Sequence, residues 1–128
     1  SCLFTPISIV PSCLYTEPEI ASVGLTETQA REKGVQIRVG RYDMKGNGQQ
    51  IISRETGGFI KVIFAANSDV LLGAQIMCAR ATDMIGELAT ALANGLTSTQ
   101  LMYAMRAHPT FNEAISCAVE NSRDNIKE

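Results

Sequence analysis

The chain has no tryptophan, one histidine and an aromatic content of only 5%. Its four cysteines, Cys2, Cys13, Cys78 and Cys117, stand far apart, and with a single imidazole they cannot make up a zinc set of the usual spacing. Scattered thiols of this kind pack as small hydrophobes, and they suit a reducing, cytoplasmic setting. Positive charge is scarce as well: 11 lysines and arginines face 13 acids, a net charge of −2 with no basic cluster. That balance speaks against nucleic acid and against an anionic membrane as partners. No apolar run nears the roughly 18–20 residues that cross a bilayer. Residues 1–10 are fairly apolar but carry no basic residue and are broken by Pro6, a poor signal peptide. A first residue other than methionine is expected of a processed chain or of a piece of a longer one. A dinucleotide fingerprint is missing too, because Gly46-Asn47-Gly48 is followed by no third glycine at the required spacing.

What is present fits one globular domain. A length of 128 residues, 45% apolar and 19% charged, is enough to bury a core without disulfide staples. Residues 7–16 read as an extended first strand that Pro11 marks as an edge or a break. Glu17-Pro18-Glu19 is a turn, and residues 20–24 alternate like a strand. Thr26-Glu27-Thr28-Gln29 matches a capping box and Gly34 a helix terminator, so a short helix is predicted over 27–33, with Glu27 and Arg31 paired one turn apart. Val35, Ile37 and Val39 alternate with Gln36, Arg38 and Gly40, which predicts a half-buried strand with one wet face. Phe59–Ala65 and Val70–Cys78 flank the polar Asn67-Ser68-Asp69 and predict an antiparallel hairpin.

The last third changes period. In 82–94, Ile85, Leu88, Ala89 and Leu92 share one face, Asp83, Glu87, Thr90 and Asn94 the other, and Gly95 ends the helix. Thr97 or Ser98 caps a short helix carrying Leu101, Ala104 and Met105. The final helix places Ile115, Ala118 and Val119 together, and the polar tail 121–128 is expected to fray. Met84, Met102 and Met105 are expected as core fillers. Strands first and helices afterwards give an α+β fold, a mainly antiparallel sheet with a central hairpin and helices packed on one face.

One stretch carries chemistry. His108-Pro109-Thr110-Phe111-Asn112-Glu113 holds the only side chain whose unperturbed pKa puts a change of charge near neutral pH. Pro109 stops the preceding helix, and Thr110 can cap the next. Two readings stand side by side. Thr110 to Glu113 fits a capping box beside a plain turn histidine. Equally, His108 can act as a proton acceptor whose other ring nitrogen donates to Glu113.

Three motifs, taken in order, resemble the C-terminal dimerisation domain of the pyridine nucleotide–disulfide oxidoreductases. They are Tyr15-Thr16-Glu17-Pro18-Glu19-Ile20-Ala21-Ser22-Val23-Gly24-Leu25-Thr26-Glu27; Leu72-Gly73-Ala74 followed by Ile85-Gly86-Glu87-Leu88; and Ala107-His108-Pro109-Thr110 with Glu113. The similarity runs over about residues 12–120, leaving 1–11 and 121–128 peripheral to a single domain that spans 1–128. Ala107 and the short Phe111-Asn112 link resemble the dihydrolipoamide dehydrogenase branch.

The resemblance implies a flavoenzyme subunit with an FAD domain bearing a redox-active cysteine pair, an NAD(P) domain, and then this domain, which forms a homodimer. It implies that His108 reaches the partner subunit's active site as base for a dihydrolipoyl-type thiol substrate, with Glu113 orienting it. A thiolate is the nucleophile in such chemistry, so a base that titrates near neutrality beside the sulfur is what it needs. This chain departs from a whole enzyme in having no flavin fingerprint, no nucleotide-binding domain and no closely spaced cysteine pair. By itself it is expected to be inactive, the cofactors being held elsewhere. A glutathione-reductase-like reductase would share the same pair, and a stand-alone, non-catalytic dimerisation module is the rival from another class.

Overall fold

A computed structural model describes residues 11–15, 18–43, 58–78, 81–103, 113–123 and 126–127. Six strands among them form one antiparallel sheet: β1 (Ser12–Leu14), β2 (Glu19–Gly24), β3 (Ile37–Asp43), β4 (Phe59–Ala65), β5 (Leu71–Cys78) and β6 (Ile126–Lys127), in the spatial order β1-β2-β5-β4-β3-β6. The predicted hairpin is its centre. β4 and β5 pair from Phe59 opposite Met77 to Phe64 opposite Leu71, with a bulge between Ile63 and Phe64.

Among the described residues four helices accompany the sheet: α1 (Glu27–Glu32), α2 (Ala81–Ala93), α3 (Ser98–Met102) and α4 (Glu113–Ser122). The capping box predicted at Thr26 forms, and Thr97, one of two predicted caps, makes a second. Thr26 accepts from the Gln29 amide at 3.1 Å while the Gln29 side chain accepts from the Thr26 amide, and Thr97 and Gln100 repeat the exchange. Glu27 and Arg31 pair at 2.9 Å, and Lys61 of β4 reaches the same carboxylate at 2.5 Å.

The main core lies between the sheet and α2, α3 and α4. Ile60, Val62, Phe64, Leu71 and Ile76 meet Met84, Leu88, Ile115, Ala118 and Val119 there, all essentially without exposure. A smaller cluster of Ala30, Ile37, Val39 and Ile63 puts α1 on the opposite face. At the β1 end of that face the register aligns Leu14, Ile20, Met77 and Phe59 in one row across four strands. Leu14 and Ile20 remain 54% and 39% exposed.

Several expectations need correction. The face of β3 bearing Arg38 and Gly40 is not wet, because α4 packs on it. A side-chain carbon on Gly40 would run into the Ala118 carbonyl and Ser122, so only glycine admits so close a helix. In α2 the buried stripe is Met84, Ile85, Leu88 and Ala91, with Ala89 and Leu92 only partly covered, a rotation of the predicted face. Met102 is 39% exposed rather than a core filler. The tail does not wholly fray: Ser122 is buried, and Ile126–Lys127 adds a strand to the edge at β3. The Gly46–Gly48 loop, Met105 and Cys2 lie outside the described residues.

Candidate functional site

Two of the three sequence motifs meet in space. Gly24 of the first lies opposite Gly73 of the second, and the Leu25 amide donates to the Leu72 carbonyl at 2.9 Å. A side chain at Gly73 would strike the Leu25 backbone, so the pattern Leu-Gly-Ala there is a requirement of this crossing. Glu19, from the same first motif, ties β2 to α2. Its Oε1 accepts from the Thr82 amide at 3.0 Å and from the Thr82 hydroxyl at 2.6 Å. A carboxylate there satisfies an otherwise orphaned amide and faces the positive end of the helix. These motif residues therefore build the frame.

The third motif carries the candidate chemistry. Glu113 is the first residue of α4. Residues 104–112, His108 and the Thr110 cap included, lie outside the described residues, as does the Glu113 side chain. What the fold does define is the pair of helices that bracket this stretch. α4 is held to β3 by the Gly40 contact and by the Arg41 amide, which donates to Asn121 Oδ1 at 3.0 Å. α3 and α4 are joined where Arg123 Nη1 donates to Met102 Sδ at 3.1 Å.

α3 is held at its other end by a polar cluster that the sequence reading passed over. Asp69 closes the β4–β5 turn with φ +65°, a left-handed conformation that aspartate tolerates better than most residues. Its two carboxylate oxygens accept from the Ser98 hydroxyl at 2.7 Å, and it forms an ion pair with Arg38 Nη2. Ser98 is fully buried. Arg38 Nε has no hydrogen-bond partner among the described residues. Burial, and secondarily the charge of Arg123, lower the Arg38 pKa below the usual arginine value. The signal in the sequence was an aspartate ending a polar hairpin turn, with a Thr-Ser pair opening a later helix.

Every pairing in this sheet is antiparallel, unlike the parallel strand-to-helix turn of the doubly wound dinucleotide fold. No group of three or more histidine, cysteine, aspartate or glutamate side chains among the described residues could hold a metal. Cys13, Cys78 and Cys117 are thiols, not bridged to one another. No described helix is long and apolar enough to cross a membrane.

Among the described residues the antiparallel sheet carries helices on both faces, which defines an α+β domain. The chain belongs to the pyridine nucleotide-disulphide oxidoreductase dimerisation-domain family, whose model matches residues 10–119. It is 40% identical over 111 residues to a dihydrolipoyl dehydrogenase of Bacillus subtilis (strain 168), covering 87% of this chain and 24% of that protein. A Rhizobium etli dihydrolipoyl dehydrogenase is 42% identical over 110 residues, covering 86% and 23%. The chain thus spans about a quarter of the length of these curated relatives. Among solved structures, LpdA from Mycobacterium tuberculosis superposes with a TM-score of 0.86 at 23% identity, covering 91% of this chain and 25% of that one, a likeness of fold. The HOCl-induced flavoprotein disulfide reductase RclA from Escherichia coli gives 0.83 at 27% identity, with coverages of 87% and 26%.

Proposed function

We propose that this chain is the dimerisation domain of an FAD-dependent disulfide oxidoreductase of the dihydrolipoyl dehydrogenase type, and that it supplies His108 and Glu113 to the active site of the partner subunit. The observation that carries the reading is the identity of 35–42% to proteins named dihydrolipoyl dehydrogenase over most of this chain. Exposed Leu14 and Ile20 on the sheet face also suit a domain that works inside a larger assembly.

FAD and NAD(P) would be held by the rest of the subunit, where they supply the electron transfer. This chain's part is a proton. His108 accepts the proton of the dithiol substrate, leaving the thiolate that is the reactive form. Glu113 accepts from the other ring nitrogen, fixing the tautomer and stabilising the imidazolium that forms. The site would lie in the cytoplasm, where a dithiol stays reduced.

In the full-length flavoenzyme, His108→Gln is expected to lower dithiol oxidation by about 10²–10⁴-fold, the usual worth of a lost acid–base group, while flavin stays bound. Turnover and flavin absorbance measured on the same preparation check this. An unchanged turnover number removes His108 from the mechanism.

A further inference from the structure

α2 runs out into an asparagine–glycine pair, Asn94-Gly95, both residues exposed. A pair of this kind is a chemical weak point, because the glycine nitrogen carries no neighbouring side chain to shield it from the asparagine amide. The nitrogen bonds to Asn94 Cγ as its proton leaves, and Nδ2 departs as ammonia. Water then opens the succinimide ring at one of its two carbonyls, giving aspartate or isoaspartate. Asparagine is counted among the thermolabile residues.

The fold holds both nitrogens that this reaction needs. The Gly95 amide, which is the nucleophile, donates to the Leu92 carbonyl at 3.2 Å. Asn94 Nδ2, which is the leaving group, donates to the Thr90 carbonyl at 2.8 Å. The Leu96 amide donates to the Ala91 carbonyl at 3.0 Å and Gly95 has φ +63°, which together complete a left-handed, two-bond helix cap. Leu96 pins this cap in place. Its side chain packs against the main core, and its carbonyl accepts from the Leu71 amide at the start of β5 at 3.0 Å. An amide that is donating its proton cannot attack until it lets go, and letting go means opening the cap.

We propose that Asn94 is a site of spontaneous deamidation gated by the cap at the end of α2, so that its conversion marks chains in which that end has opened. The opening is local, of the kind helix ends undergo without global unfolding. The gate works in one direction. Aspartate at 94 sets a negative charge against the negative end of α2, and isoaspartate routes the backbone through the side chain, adding a carbon that upsets the spacing of both cap bonds. Once converted, the end of α2 closes less well, and the attachment of Leu96 to β5 is weakened with it.

The test is to age the full-length flavoenzyme at mildly alkaline pH, folded and in urea, and to follow the tryptic peptide 81–106 by mass spectrometry. That peptide contains no other asparagine. Flavin absorbance reports that the folded sample stays folded. Conversion of Asn94 is expected to be at least about 10-fold slower in the folded enzyme than in urea, since it proceeds only from the open fraction. Leu96→Ala leaves the reacting pair untouched but unpins the cap, and should bring the folded rate most of the way to the rate in urea, which itself should not change. Leu96→Val, with a smaller rise, serves if flavin content shows that Leu96→Ala folds poorly. Equal rates in the folded enzyme and in urea would overturn the proposal. So would a folded rate that neither Leu96 variant raises, because the protection would then come from elsewhere in the enzyme.

Discussion

Gly40 and Gly86 show glycine under opposite constraints. At Gly40 a side chain would meet the backbone of α4, so the residue is fixed by packing. Gly86 sits on the exposed side of α2, where an added carbon meets nothing within 4 Å. In a helix interior glycine costs roughly 0.5–1 kcal/mol relative to alanine. Gly86→Ala is therefore expected to raise the unfolding free energy of this chain by about that amount, as a higher urea midpoint at unchanged slope. A lower midpoint would mean that the open space beside Gly86 is needed. Arg38 teaches a related lesson. Strict alternation in 35–40 told which residues share a face, but not that α4 would cover it. An arginine on a covered face is tolerable because Asp69 lies within reach, and residue spacing gives no hint of a partner more than thirty positions away.

At the level of elements, what was legible was local. Thr26 announces its helix because the cap and its reciprocal glutamine lie three residues apart. The β4–β5 hairpin declares itself through two apolar runs around a three-residue polar turn. What was not legible depends on distant partners. Ile126–Lys127 is a strand only because β3 offers an edge to pair with, and α1 lies opposite the other helices because Ile37, Val39 and Ile63 give it a second apolar patch. The contact of Glu19 with α2 is of the same kind, spanning 63 positions. Replacing Glu19 with alanine removes an acceptor from the Thr82 amide and hydroxyl, and should cost about 1 kcal/mol, as loss of a helix cap does. Urea unfolding of the variant measures it. An unchanged midpoint would show that water or another residue serves α2 as well.

For the molecule as a whole, the three motifs pointed correctly to the family, yet for different physical reasons. Gly24, Gly73 and Glu19 answer demands of the frame: a close crossing and a helix start. His108 lies outside the described residues, and chemistry is the part proposed for it. The proposal that it acts across a dimer makes a demand that neither a stand-alone module nor a base serving its own subunit could meet. Take two full-length variants, His108→Gln and one lacking the redox-active cysteine pair, each inactive as a homodimer. Unfold and refold them together, then confirm mixed dimers by size and by distinct tags. A mixed dimer contains one complete site, with cysteines from one subunit and His108 from the other. Random reassortment makes half the dimers mixed, so the refolded mixture should regain about a quarter of wild-type dithiol oxidation. Mixed dimers that stay inactive would contradict the claim that this domain delivers its histidine to the partner.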